Sequence, residues 1–307
     1  MERESFKKIA RSHQINFRKN NIGDEYAEYE TYMDNKSASI GKNFFDGFNI
    51  FETVKKRYPM DLITSKKKTE VYSDMLRSEH IPFNLFVPLK RNLEYCKNIL
   101  NEFFDNTIES INDIAYINGE ENIKIEFAPS PKKEYLNDGT SFDTYIEYVN
   151  KDGAIGLIGI EVKYTEGEEK LTSGSREEKN LNDPLSKYYE ISDKSGLYEN
   201  GYSNIPKNNI LKRDLYRQIW RNQLLAESML MKNNSPFAYA SLLLIYPQQN
   251  SHFSNVGEEY MKMLNNKNKF ILLTYEQYLD SCKNFCPNDS YRKWLDYLRK
   301  RYIEIFL

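Results

Sequence analysis

Residues Ser141–Tyr164, SFDTYIEYVNKDGAIGLIGIEVKY, contain the clearest structural pattern in the chain. Residues 142–149 fit a period of two, which puts Phe142, Ile146 and Tyr148 on one face of a β-strand and Asp143 and Glu147 on the other. Residues 154–164 are nearly continuous in apolar and glycine residues, which indicates a strand buried on both faces. Between them lies Asn150-Lys151-Asp152-Gly153, a polar turn with a glycine available for positive φ. The stretch therefore predicts a β-hairpin.

The length of the turn decides which side chains face each other. With three residues in the turn, Asn150 pairs with Ala154, and Asp143 lies opposite Glu161 with the Cβ atoms roughly 5 Å apart. A two-residue turn would shift the register by one residue and put the two acids on opposite faces. We favour the three-residue turn, because a glycine often closes such a turn as a bulge. Gly159 is then expected to leave open space beside the acids.

A lysine completes the charged end of this hairpin. Lys163 lies two residues after Glu161, so both side chains point to the same face as Asp143. Two carboxylates this close repel each other unless a cation compensates them. Mg²⁺, or Mn²⁺ in its place, would do so because hard cations prefer carboxylate oxygens. The alternative is a surface ion pair in which Lys163 bridges the two acids; three charges on an otherwise buried strand pair favour the metal site.

With these residues in view, the chain resembles the PD-(D/E)xK nuclease superfamily. Asp143 matches the lone acid of the family motif, and Glu161 and Lys163 match its (D/E)xK; Phe142 stands where the family name has proline. Four segments are also similar in sequence to one bacterial subgroup of restriction endonucleases: residues 76–86, 141–148, 158–166 and 218–222. The resemblance runs from about residue 70 to residue 246 and is strongest over the hairpin.

The resemblance implies an α/β, restriction-endonuclease-like fold: a mixed β-sheet flanked by helices on both faces, with N-terminal and C-terminal helical additions. It also implies that Asp143 and Glu161 bind the metal with help from the Val162 carbonyl, and that Lys163 positions or deprotonates the attacking water. Glu79, at the end of a predicted helix, is a candidate for a further metal ligand. The alternative is that Glu79 belongs to a helix end packed on the core.

A strong helix is predicted at residues 211–231, after the hairpin. Arg213, Arg217 and Arg221 recur every four residues and are predicted to form one cationic stripe that contacts nucleic acid. By resemblance, Gln218 is the candidate for a catalytic polar group near the metal and the scissile phosphate, and Arg221 for a phosphate contact. The alternative is an ordinary solvated helix face.

The composition is that of a globular chain with almost balanced charge. Of the 307 residues 40% are apolar, and 43 basic against 45 acidic side chains give a net charge of −2. This balance argues mildly against nucleic acid, but a nuclease with an acidic metal site can still present a basic groove. No apolar stretch reaches the about 18 residues of a membrane span. The N-terminus lacks an apolar signal core, so we expect a cytoplasmic protein with reduced cysteines.

The chain is predicted to form two regions in one compact unit. Residues 1–67 are a helical, partly basic N-terminal region, and residues 68–307 are the nuclease domain, with a polar insert at 165–209. Residues 81–88 contain two prolines and are predicted to be an ordered connector rather than a helix.

The leading functional interpretation is a metal-dependent DNA endonuclease with a restriction or phage-defence role, acting on double-stranded DNA with Mg²⁺. Two alternatives stay open: a structure-selective or repair-type nuclease of the same fold that acts on DNA or RNA, and a non-catalytic nucleic-acid-binding or protein-interaction module. A homodimer, or a partner methyltransferase or defence subunit, would suit the restriction role, but no segment identifies either.

Overall fold

The computed structural model describes residues 3–60, 66–111, 123–198 and 210–304. This part of the chain contains a six-stranded mixed sheet with the order β1-β3-β4-β5-β6, in which β2 also pairs with β3. Pairing is antiparallel from β1 and β2 through β3 to β4, and parallel from β4 to β5 and β6. The strands are β1 (Ile108–Ile111), β2 (Ile123–Phe127), β3 (Phe142–Asn150), β4 (Ile155–Val162), β5 (Phe237–Tyr246) and β6 (Phe270–Thr274).

Helices cover both faces of the sheet, because its central strands are apolar on both sides. On β5, Leu243 and Ile245 lie in one hydrophobic core, and Leu242 and Leu244 lie in the other. The predicted fold class is confirmed. The helices before the sheet are α1 (Arg3–Asn21), α2 (Asn35–Ser39), α3 (Ile50–Arg57), α4 (Lys66–Ser73), α5 (Ile81–Phe86) and α6 (Leu93–Asn101). The later helices are α7 (Arg176–Asn182), α8 (Lys187–Lys194), α9 (Asp214–Leu230), α10 (Ser251–Met261), α11 (Tyr275–Asn284) and α12 (Asp289–Leu298).

The hairpin of β3 and β4 has the predicted register. The Asn150 amide donates to the Ala154 carbonyl at 2.8 Å, so three residues form the turn. Gly153 in that turn has a φ of +83°, a conformation that glycine adopts without strain. Thr144 pairs with Ile160, and one step further along the ladder Asp143 faces Glu161. The three-residue turn is therefore confirmed.

The expected open space beside Gly159 is wrong, because the Phe142 ring fills it. A Cβ atom built on Gly159 would lie 2.3 Å from a ring carbon of Phe142. Strict alternation puts Phe142 on the face opposite Asp143, yet its ring stacks with Tyr145, whose side chain lies on the Asp143 side, at a centroid distance of 6.1 Å. The glycine thus makes room for an aromatic ring that closes the core under the acids.

One other prediction needs correction in the described residues. Residues 81–88 are not a connector, because residues 81–86 form helix α5. Pro82 lies in the first turn of the helix. Backbone N–H groups in the first turn have no intrahelical acceptor, so the N–H that proline lacks is not needed there. The polar insert contains helices α7 and α8, of which α7 begins at a Ser175 side chain that accepts from the Glu178 amide; residues 199–209 of the insert lie outside the described part.

The N-terminal helix α1 packs against the sheet. Phe6 and Ala10 belong to the same core as Ile160 and Val162 of β4. The predicted division between residues 67 and 68 falls inside α4. The two-region division itself stays a prediction.

We predict that Gly159→Ala destabilises the protein by about 1–3 kcal/mol, because the added methyl group collides with the Phe142 ring in a filled core. Equilibrium urea unfolding measures this. The control is Gly139→Ala, since a Cβ atom there meets nothing within 4 Å. Equal stability of the two variants would contradict the packing described here.

Candidate active site

The charged end of the hairpin opens into a cleft of about 780 Å³. Asp143, Glu161, Lys163, Gln218 and Glu79 all line it. The structure therefore brings together the predicted side chains that were assigned to catalysis and metal binding. The Val162 side chain is buried in the core beneath, which leaves only its backbone at the site.

Backbone pairing fixes the two motif acids in place. The Val162 amide donates to Oδ2 of Asp143 at 2.7 Å, so the start of β3 is joined to the end of β4. The Lys163 amide donates to the Ile245 carbonyl at 2.8 Å, which extends the parallel pairing of β4 with β5 through the motif. The Tyr275 hydroxyl donates to the Lys163 carbonyl at 2.6 Å. The backbone around the motif is therefore held from three directions.

The Glu161 carboxylate is only 3% exposed and is surrounded by donors. Its Oε1 accepts from Gln218 Nε2 at 2.5 Å and lies 2.7 Å from Lys163 Nζ. Its Oε2 accepts from Asn222 Nδ2 at 2.6 Å. Lys163 Nζ also donates to Gln218 Oε1 at 2.6 Å. Gln218 and Asn222 are one helical turn apart on α9, so this network joins the helix to the motif strand.

Asn222 is one of two site residues that the sequence analysis missed. It lies four residues after Gln218, and this spacing puts both amides on one helix face. The signal was therefore present in the residues 218–222 that carry part of the resemblance. What could not be seen from sequence is that both amides reach the same carboxylate.

Glu126 is the second residue missed, and it adds a third carboxylate. On β2 its neighbours Ile125 and Phe127 pair with Thr144 and Phe142, so Glu126 faces Asp143 from the side opposite Glu161. Its φ of +54° lies in the left-handed region, which is costly for a non-glycine residue and frequent at functional sites. Nothing in residues 123–127 distinguishes this glutamate from other strand acids; only the β2–β3 pairing does.

Burial and neighbouring negative charge raise the proton affinity of two of these carboxylates, Asp143 and Glu126. Burial, with the charges of Glu161 and Glu126, raises the pKa of Asp143 well above its usual range. Burial and the charges of Glu161 and Glu79, opposed by Arg57, raise the pKa of Glu126 to about 7. Negative charge is thus under-compensated at this end of the sheet.

Lys163 has the opposite balance. Burial lowers the pKa of its ammonium group, but the carboxylates of Glu161 and Asp143 outweigh burial and raise the pKa to about 12. Lys163 is therefore charged at neutral pH. In this state it stabilises negative charge and orients oxygen atoms; it does not accept a proton.

The donor chemistry of the site fits a hard divalent cation. Within the described ranges, no group of three or more His, Cys, Asp and Glu side chains is arranged to hold a metal ion. The available ligands are carboxylate oxygens, the type that Mg²⁺ and Mn²⁺ prefer. A cation beside Asp143 would also relieve the repulsion that raises the pKa of that residue.

Glu79 lines the cleft, but an arginine holds both of its oxygens. Arg77 Nε donates to Oε2 of Glu79 at 2.8 Å, and Arg77 Nη2 donates to Oε1. Both oxygens of Glu79 therefore already accept a hydrogen bond, as both oxygens of Glu161 do. The role of Glu79 as a metal ligand stays a prediction.

Two of the three arginines in the predicted cationic stripe are buried in ion pairs. Arg217 is 1% exposed and donates to the Glu177 and Asp214 carboxylates. Arg221 is also buried, with Nη1 2.8 Å from Glu177 Oε2 and Nε 3.1 Å from Thr140 Oγ1.

The sequence pattern missed this arrangement because the neutralising acids come from the polar insert and from the chain around residue 138. Arg213 is exposed but precedes the helix, in extended backbone. The role of Arg213, Arg217 and Arg221 in contacting nucleic acid stays a prediction. Arg217 and Arg221 do not form an exposed stripe with Arg213.

A comparison with known families identifies the superfamily of the chain and is consistent with its fold. The family model that matches describes the PD-(D/E)XK nuclease superfamily and covers residues 2–304. The chain belongs to this superfamily. No curated protein and no solved structure matches the chain. Membership indicates a nuclease, and nucleic acid as the class of substrate.

The search for membrane-spanning segments gave a negative result. Among the described residues, none of the helices combines the length and the apolar character needed to cross a bilayer.

We predict that Asp143→Asn raises the melting temperature of the metal-free protein by about 2–4 °C. Asp143 has a raised pKa in the folded state, so its ionised form costs stability at neutral pH and the neutral amide does not. The amide oxygen of asparagine can still accept from the Val162 N–H. The gain should shrink as the pH falls and Asp143 becomes protonated.

The control is Asp152→Asn in the turn of the same hairpin. Asp152 is solvent-exposed, and hydrogen bonds from Tyr239 and the Ala154 amide lower its pKa, so its neutralisation should give no increase. Thermal melts in a chelator between acidic and neutral pH measure both variants. A melting temperature of Asp143→Asn at or below that of the wild type at neutral pH would contradict the repulsion argument.

Proposed function

We propose that this protein is a Mg²⁺-dependent DNA endonuclease that hydrolyses phosphodiester bonds. One observation carries the proposal: Asp143, Glu161 and Lys163 meet at one end of a cleft, and the Lys163 ammonium lies 2.7 Å from the Glu161 carboxylate. Glu161 and Lys163 are buried and Asp143 is half-buried, so these charges are largely removed from solvent. An ordinary surface ion pair does not need such an environment.

Each residue has a role that follows from its contacts. Asp143 and Glu161, with the Val162 carbonyl, would hold the metal, and Glu126 and Glu79 lie close enough in the cleft to contribute negative charge. A bound Mg²⁺ or Mn²⁺ would lower the pKa of a coordinated water and neutralise charge on the phosphate. Lys163 would orient that water and stabilise the charge that develops on phosphate oxygens.

Gln218 and Asn222 support this arrangement from α9. Their amides fix the orientation of the Glu161 carboxylate through donors to both oxygens. Gln218 also accepts from Lys163, so a single side chain sets the distance between the acid and the ammonium group. We propose Gln218 as the catalytic polar group of the helix and Asn222 as a residue that positions Glu161.

The charge of the cleft supports a requirement for divalent cations. The described residues that line it include eight carboxylates and four cationic side chains. A phosphodiester brought into this cleft meets an excess of negative charge. A divalent cation offsets that repulsion at the point where the reaction takes place.

We expect purified wild-type protein to cleave DNA only when Mg²⁺ or Mn²⁺ is present. Asp143→Ala and Lys163→Ala should each reduce the rate about 100-fold or more, since each removes a group that stabilises charge in the transition state. The assay is cleavage of supercoiled plasmid in Mg²⁺ and in EDTA.

Lys151→Ala is the matched control for Lys163→Ala, because Lys151 lies on the same hairpin but is exposed in its turn. It should cleave like the wild type. Similar rates for the wild type and both site variants would exclude this catalytic assignment. DNA binding in Mn²⁺ without cleavage would favour the alternative of a non-catalytic nucleic-acid-binding module.

We further propose a restriction or phage-defence role in the cytoplasm of a bacterial cell. The similarity of residues 76–86 and 218–222 to a subgroup of bacterial restriction endonucleases supports it. Such a role would suit a homodimer, a partner methyltransferase or a further defence subunit. The competing role is repair or processing of DNA or RNA structures.

Phage plating on a bacterial host separates these roles. Expression of the wild-type protein should reduce plaque formation, and expression of Asp143→Ala should not, because only cleavage of incoming DNA protects the cell. If both strains plate phage equally while the purified wild type cleaves flaps or ends, the repair-type role is favoured.

A further inference from the structure

A loop of the N-terminal region forms part of the wall of the catalytic cleft. We call residues 22–33 the tyrosine loop. Arg18, which is fully buried, holds it from inside: Nη1 donates to the carbonyls of Gly23 at 2.6 Å and Glu25 at 2.8 Å, and Nε donates to the Glu30 carbonyl at 3.1 Å. The loop is thus built around one side chain that satisfies three of its carbonyls.

The other side of the loop is tied to the chain before the cleft. The Met33 amide donates to the Ser73 carbonyl at 3.0 Å, and the Met75 amide donates to the Thr31 carbonyl at 3.0 Å. These bonds form a short antiparallel bridge. The loop therefore presents its side chains from a fixed backbone.

The loop carries two tyrosines into the cleft. The Tyr32 amide donates to the Tyr29 carbonyl at 2.8 Å, which closes a tight turn. The two rings lie 5.4 Å apart and are tilted by 58°. Both line the same cleft as Asp143 and Glu161. Tyr32 is partly buried, and its hydroxyl is hydrogen-bonded to Asp74, whereas Tyr29 is 52% exposed.

Two cations line the same cleft as these rings. Lys7 and Arg11 of α1 also line the cleft, and their spacing of four residues puts them on one helix face. An exposed aromatic ring next to cationic side chains is the combination that binds single-stranded nucleic acid: the ring stacks on a base, and the cations contact the backbone. Asp143 and Glu161, which line the same cleft, provide the reactive part of the proposed site.

We propose that Tyr29 stacks on an unpaired base of the strand that is cut, so that the substrate enters the cleft as single-stranded DNA, a flap or a locally opened duplex. This inference rests on the proposed nuclease function and specifies its substrate. Lys7 and Arg11 contact the phosphates next to that base. Tyr32, held by Asp74, supports the Tyr29 ring from behind.

The size and charge of the cleft favour an unpaired strand over an intact duplex. A volume of about 780 Å³ lies in the range of pockets that enclose small ligands, about 300–1,000 Å³. Inside a duplex, both faces of a base are covered by its neighbours, and exposing one costs unstacking energy. A duplex would also bring a second row of phosphates toward the carboxylates of the cleft, whereas a single strand brings one.

Binding of a short single-stranded oligonucleotide in Ca²⁺, which replaces Mg²⁺ without supporting rapid cleavage, tests the proposal. Tyr29→Ala should weaken binding about tenfold, as expected for the loss of one base–aromatic stack. Tyr29→Phe should bind like the wild type, because stacking needs the ring and not the hydroxyl. A 2-aminopurine base in the oligonucleotide should be quenched by the wild type and by Tyr29→Phe, but not by Tyr29→Ala.

Tyr26→Ala is the matched control. Tyr26 is on the same loop and is 50% exposed, but it packs over Arg18 and is not among the described residues that line the cleft. It should bind the oligonucleotide like the wild type. Equal loss of binding in Tyr26→Ala and Tyr29→Ala would show a general effect of the loop and would overturn the proposal.

Two further outcomes keep this proposal separate from the nuclease function. If the wild type cleaves duplex plasmid but Tyr29→Ala binds the single strand as tightly as the wild type, the stacking proposal fails and the nuclease function stands. If the wild type binds and quenches the oligonucleotide through Tyr29 but cleaves no nucleic acid in Mg²⁺ or Mn²⁺, stacking stands and the nuclease function fails.

Discussion

A buried carboxylate at the end of β4 organises the active end of this protein. Glu161 is almost completely removed from water, and an isolated charge in that position would cost several kcal/mol. Lys163, Gln218 and Asn222 offset this cost by donating to its two oxygens. Because Lys163 directly follows the same strand and the two amides lie on α9, these compensating bonds also join α9 to the sheet. Local stability and site geometry therefore depend on the same few bonds.

The parts of this site that follow from local rules could be predicted from sequence. A three-residue turn ending in Gly153 fixes which residues of β3 and β4 face each other, so the Asp143–Glu161 pair follows from counting residues. Counting residues fails for Phe142. Near the end of a strand, an aromatic ring can pack over a glycine and lie on the other face from the one that strict alternation of side chains predicts. Glu126 reaches the site only because β2 pairs with β3. The sequence between β2 and the hairpin contains no pattern that predicts the register of this pairing.

Charge patterns were the least reliable guide. Arginines spaced by four residues on a helix form a surface stripe only if no acid from elsewhere reaches them. Here Glu177 of the insert contacts both Arg217 and Arg221, and both guanidinium groups are buried. The spacing identified a common face correctly, but the partner that covers this face lies some 40 residues away in the chain. Non-local ion pairs of this kind leave no periodic trace in the sequence.

The same ion pairs determine where substrate affinity can come from. With the α9 arginines neutralised by the insert, the cleft keeps an excess of carboxylates, and electrostatic attraction for phosphate is weak in its interior. Under the proposed function, affinity would come from a divalent cation at Asp143 and Glu161 and from other groups that line the cleft. Lys7 and Arg11 of α1 and the exposed Tyr29 ring are such groups, and all three belong to the N-terminal region. The N-terminal region therefore lines the same cleft as Asp143 and Glu161, and the family match likewise extends over both, from residue 2 to residue 304.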